Sequence, residues 1–135
     1  MTEIKIHWSF WLICILALVW NMMGSANFIM QMNPEMVAKF PEEAQALIAS
    51  RPLWATMAFA IAVFGGVLAD ALLLLKKERA YYIFIISFFG VIITNIHTFR
   101  VSSSIDIWIG SLMSFVIAAL LIWYTKFVQR KGWIN

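Results

Sequence analysis

Apolar positions along the chain run in four long blocks, 8–30, 53–75, 80–99 and 105–125. Each is close to the roughly 20 residues of helix that cross a hydrocarbon core. No block contains Lys or Arg, and the single internal acid is Asp70, Asp106 standing at a block's edge. Short, half-polar, alternating segments of the kind that build membrane β-barrels are absent, so the pattern predicts helices. The apolar run 8–23 is somewhat longer than a signal-peptide core of about 7–15 residues. The first block is therefore expected to be a retained transmembrane helix.

Between the first two blocks lies the one long connection, 31–52, containing "NPEMVAKFPEEAQALIASRP". Asn33 is placed to cap a turn beginning at Pro34, and Pro41 opens a second short helix. Met36, Val37, Phe40, Ala44, Leu47 and Ile48 recur at helical spacing, with Glu42 and Glu43 on the other side. Such an amphipathic segment is expected to lie on the outer membrane surface, or else to form a lid over the mouth of a bundle. The connections "KKERA" and "RVSSSI" are tight, so the helices they join are antiparallel neighbours. The expected fold is all-α: a single domain, 1–135, forming an up-down-up-down four-helix transmembrane bundle with an outer amphipathic loop.

Composition agrees with this pattern. Of 135 residues, 63% are hydrophobic and 13% charged, whereas about a quarter of a soluble domain is charged. The net charge of +3 arises from residues between the blocks, where they act as topology signals and not as a nucleic-acid surface. With the N-terminus inside, the inner side holds Lys5, then Lys76, Lys77 and Arg79, and finally Lys126, Arg130 and Lys131. The outer side holds Lys39, Arg51 and Arg100. Seven against three predicts cytoplasmic termini and argues against dual topology. The one cysteine, Cys14, precludes an intrachain disulfide.

Polar groups inside a bilayer are costly unless satisfied, so each needs an account. Trp20, Gly24, Asn27 and Gln31 share one face of the first span, with Asn21 beside it. On the second span Thr56, Val63, Val67 and Asp70 share a face, and Ala58, Ala62, Gly65 and Ala69 form an opposite small-residue stripe suited to helix packing. The third aligns Gly90, Thr94 and His97, with Asn95 about 100° from Thr94. The fourth repeats small residues at Gly110, Ser114 and Ala118. Asn27, Gln31, Trp54, Asn95 and His97 are candidate ligand-binding residues of an outward-facing polar pocket. The same groups could instead only join helices. Asp70 is a candidate for proton or cation coupling, its alternative being a pairing with Lys76 or Lys77.

The spans lack a nucleophile–base pair, a phosphate loop, a haem histidine pair and metal-ligand spacing, so neither catalysis nor a metal or cofactor is expected. At "WNMMGSANFIMQMNPE" and "PLWATMAFAIAVFGGVLADALLLLKK" the chain resembles a family of small bacterial four-helix membrane proteins whose members are often named sugar transporters. The closing "WYTKFVQRKGWI" fits the same pattern. The resemblance covers nearly the whole chain and implies solute handling in a bacterial inner membrane, with no binding residues to carry over. Small multidrug transporters are comparable in size, but the first span here has no Glu or Asp.

Two functions follow as expectations. One is a small-solute binding or transport protein; the other is a structural or accessory subunit of a larger membrane complex. Expected partners are the bilayer and a small polar solute, not nucleic acid. Transport would call for a homodimer, joined through the Ala58–Ala62–Gly65–Ala69 or the Gly110–Ser114–Ala118 face.

Overall fold

A computed structural model of the chain describes residues 5–135. Six helices follow in order: α1 (Trp8–Gln31), α2 (Pro34–Val37), α3 (Glu42–Ala49), α4 (Leu53–Leu74), α5 (Ala80–Val101) and α6 (Ile105–Arg130). Four of them, α1, α4, α5 and α6, are long and apolar enough to cross a membrane. A helix satisfies its own backbone hydrogen bonds, which is why long apolar runs adopt it. As expected, Asn33 caps α2, its side chain accepting from the Glu35 N–H at 3.0 Å. The last helix runs five residues past the apolar block, because "KFVQR" continues the turn and buries Val128.

Small residues determine which helices touch. The packed neighbours are α1 with α4, α4 with α5, and α5 with α6. A Cβ on Gly90 would lie 2.7 Å from the Ala58 carbonyl oxygen and 2.9 Å from the Ala62 nitrogen. The α4 and α5 backbones are thus in direct contact. Ser87 adds a tie between these helices, its hydroxyl donating to the Ala62 carbonyl at 2.6 Å. On the other side of α4, a Cβ on Gly24 would lie 3.0 Å from Val63 Cγ1, so α1 and α4 also pack closely. The Ala58–Ala62–Gly65–Ala69 stripe is therefore used inside the chain: Ala58, Ala62 and Ala69 are buried, and Gly65 faces Ser87. This corrects the expectation that the stripe is free to join two copies.

At the end of the bundle that carries the chain termini, all four long helices share one core. Phe10 and Cys14 of α1 meet Leu73, Phe84, Tyr124 and Val128. The Phe10 ring lies 6.5 Å from Tyr124 and 6.2 Å, edge-on, from Trp133. The closing "GWI" completes this core by reversing direction. Gly132 takes φ 77°, its N–H bonding Gln129 O at 3.0 Å, and Trp133 N–H bonds Val128 O at 3.0 Å. These two bonds define a Schellman turn, which needs a residue in the left-handed region. Ile134 is returned to the core, and Asn135 pairs with the α4–α5 turn through Asn135 N–H to Lys76 O and Glu78 N–H to Asn135 O. Lys76 makes the equivalent turn after α4 at φ 61°, with Lys77 N–H bonded to Leu72 O.

Candidate ligand cavity

Beyond the terminal core, α1 and α6 both line a cavity of about 760 Å³. This lies within the range of roughly 300–1,000 Å³ common to small-molecule sites. Its sides are the face of α1 from Trp20 to Gln31 and residues such as Val63, Val91 and Ser114 on the other three long helices. Ala44, Leu47 and Ile48 of α3 reach over the mouth, and Leu47 is buried there. The amphipathic segment is accordingly a lid on the bundle. Its apolar face meets the cavity, because that face finds more apolar surface there than the loop side offers. The lid segment is braced internally by Gln45, whose amide donates to the Phe40 carbonyl at 2.7 Å.

Most polar groups in the wall already have partners within the bundle. Thr94 donates to Gly90 O at 2.8 Å, Thr98 to Thr94 O at 3.0 Å, and Ser114 to Gly110 O at 3.1 Å. Each bond runs to the carbonyl one turn back, as hydroxyls in apolar helices commonly do. Asn95 instead crosses helices, its amide donating to Ser111 O at 3.0 Å. The wall therefore presents mainly carbon to the cavity, with its hydroxyl protons directed into the helices.

The mouth differs. Arg51, between α3 and α4, donates from Nη1 to Gln31 Oε1 at 2.6 Å and lies 4.9 Å over the Phe59 ring. A guanidinium has five N–H donors, and its Nε is buried without a partner among the described residues. Burial lowers the Arg51 pKa from its ordinary value, yet from so high a starting point that the group stays cationic at neutral pH. Arg51 is the one charged side chain lining this cavity among the described residues. Asn27, one turn before Gln31, also lines it.

The floor is formed by Asn21, which lines the cavity and donates from Nδ2 to Asp70 Oδ2 at 2.6 Å. Gly66 makes room for this contact: a Cβ there would stand 2.6 Å from Asn21 Cγ. Asp70 has no exposed surface, and its other oxygen has no partner among the described residues. The alternative in which Asp70 turns toward Lys76 or Lys77 is overturned, because its side chain points across to α1 instead.

Of the residues expected to bind ligand, Asn27, Gln31 and Asn95 line the cavity, whereas Trp54 and His97 do not. His97 is 5% exposed and meets the Trp54 ring edge-on at 6.1 Å, outside the cavity wall. The helical repeat explains the division: Thr94, Asn95 and Thr98 face inward, and His97 falls on another side of α5. Gly110, Ser114 and Ala118 line the cavity and do not pack against another helix at Gly110, where a Cβ would meet nothing within 4 Å. Arg51 was the residue least visible in the sequence, where it counts only as a loop charge. Its position directly after an amphipathic helix and before Pro52 was the available signal.

No family model, curated protein or solved structure matches this chain.

Proposed function

We propose that this multi-pass membrane protein binds a small solute in the four-helix cavity and admits it at the lidded end. The supporting observation is the juxtaposition of a cavity of ligand size with a polar mouth formed by Asn27, Gln31 and Arg51, in which the Arg51 Nε has no partner among the described residues. The positive residues beside the termini favour a cytoplasmic location for both, which directs the lid outward. Solute handling is also what the resemblance to the small bacterial four-helix family implies, and we propose the bacterial inner membrane as the location.

A second reading, an accessory subunit, draws on a different observation. Asn95–Ser111, Ser87–Ala62 and Asn21–Asp70 all join helices, as they would in a scaffold whose polar groups serve only its own packing. Purification in mild detergent separates the two. A lone protein whose unfolding temperature rises with an added solute supports binding, since a ligand specific for the folded state stabilises it. Co-purification of a stoichiometric larger complex, with no solute effect, supports the accessory role.

A further inference from the structure

We infer that the ligand of this cavity is a single-chain anionic amphiphile, its head held at Arg51 and its tail lying along α1 toward Asn21. The inference rests on reading the cavity as a binding site and assigns the chemistry of its occupant.

Three features converge. The cation at the mouth has unused donors: Nη1 serves Gln31, while Nε is buried without a partner among the described residues. A carboxylate or similar anion is the group that satisfies a guanidinium with good geometry, accepting from two N–H groups at once. No acidic side chain lines the cavity to compete for that role among the described residues.

Below the mouth, the wall suits a tail better than a sugar. A sugar needs many donors and acceptors around it, but the hydroxyls of Ser87, Thr94, Thr98 and Ser114 donate to helix carbonyls. The remaining surface includes Met23, Met30, Val63, Phe84, Val91 and Ile117. The ten positions from Asn21 to Gln31 rise about 15 Å at 1.5 Å per residue, so the cavity is long enough for an extended chain of medium length.

The third feature is access. Both α1 and α6 line the cavity, and where their aromatic side chains meet, Phe10 against Tyr124, they do so at the terminal end and not beside the cavity mouth. An amphiphile already in the bilayer can therefore enter sideways between them, leaving its head at the level of Arg51. A water-borne solute has to pass the lid formed by α3.

Trp20 lines the cavity and supplies a test. In nanodiscs of zwitterionic lipid, 11-bromoundecanoate is titrated while tryptophan fluorescence is read, beside the matching bromo-alcohol and bromoalkyl-trimethylammonium. Saturable quenching by the carboxylate is expected, strongly reduced in Trp20→Phe. Binding should be about tenfold or more weaker for the alcohol, for the cation and for Arg51→Gln, because a charge-assisted hydrogen bond is lost. Arg51→Lys should retain part of the affinity, and the comparison among probes stands on the wild-type protein even if Arg51→Gln does not fold. Equal affinities for all three probes, each sensitive to Trp20→Phe, would overturn the anionic assignment and keep the cavity as a binding site. Displacement of the bromo-acid by millimolar acetate would overturn the amphiphile in favour of a small free carboxylate. Quenching that ignores Trp20→Phe with every probe would remove both this inference and the binding reading beneath it.

Discussion

Asn21 donates to Asp70 across the α1–α4 contact at 2.6 Å, and neither side chain is drawn to the lysines that follow α4. A carboxyl group with no exposed surface stays in an apolar bundle only with a bonded partner. Asn21→Ala removes that partner and should cost about 1–3 kcal/mol, the usual penalty for stranding a buried polar group. Changing both residues to Ala should cost less than the two single losses added together. Buried Cys14, the only cysteine, provides the reporter: a thiol-reactive dye labels it only as the fold opens, so a melting curve for each variant reads the effect directly.

The same pair bears on coupling. Asp70→Asn keeps an oxygen acceptor for Asn21, so the cavity floor and solute affinity should be little changed. Should Asp70 carry a proton during a transport cycle, the variant loses the dependence of uptake on an imposed pH gradient in proteoliposomes. Equal gradient-dependent uptake by wild type and Asp70→Asn would end the coupling role for this residue.

Glycines of the long helices should respond according to what they face. Gly90→Ala places a methyl group against the Ala58 carbonyl and should destabilise by about 1–3 kcal/mol, as overpacking does. Gly110→Ala meets nothing within 4 Å and should leave the melting temperature unchanged or slightly higher. A Leu at Gly65 would collide with Ser87 in the same chain, so it should weaken the fold without converting a dimer to a monomer. Size-exclusion chromatography beside the melting curves checks both outcomes.

Two turns with the same hydrogen-bond pattern carry different residues in the left-handed position, Lys76 at φ 61° and Gly132 at φ 77°. A side chain in that region costs roughly 1–2 kcal/mol, partly offset by the greater freedom glycine has when unfolded. Lys76→Gly should therefore hold or raise stability by up to about 1 kcal/mol, and Gly132→Val should lower it by more than that. In the second variant Trp133 and Ile134 are expected to lift from the core, exposing Cys14 to the dye at lower temperature. Unchanged labelling in Gly132→Val would show that the reversed tail does not hold the terminal core together.

The four spans were legible in the sequence because a helix in an apolar environment is a local solution: each run of about 20 apolar residues bonds its own backbone without reference to a neighbour. The cap at Asn33, the helix start at Pro41 and the antiparallel order of the last three long helices were local in the same way, set by turn chemistry and short connections. Rotation about each helix axis was not local. A polar residue in a span can face a neighbour, a cavity or lipid, and only the arrangement of all four helices separates these outcomes. That arrangement turned Asp70 to Asn21, sent His97 to Trp54 while Asn95 entered the cavity wall, and buried the Ala58–Ala62–Gly65–Ala69 stripe against α5. Arg51 depended on it most: a loop charge by sequence, it became the cation of the cavity mouth because the lid helix and the end of α1 enclose it between Gln31 and Phe59.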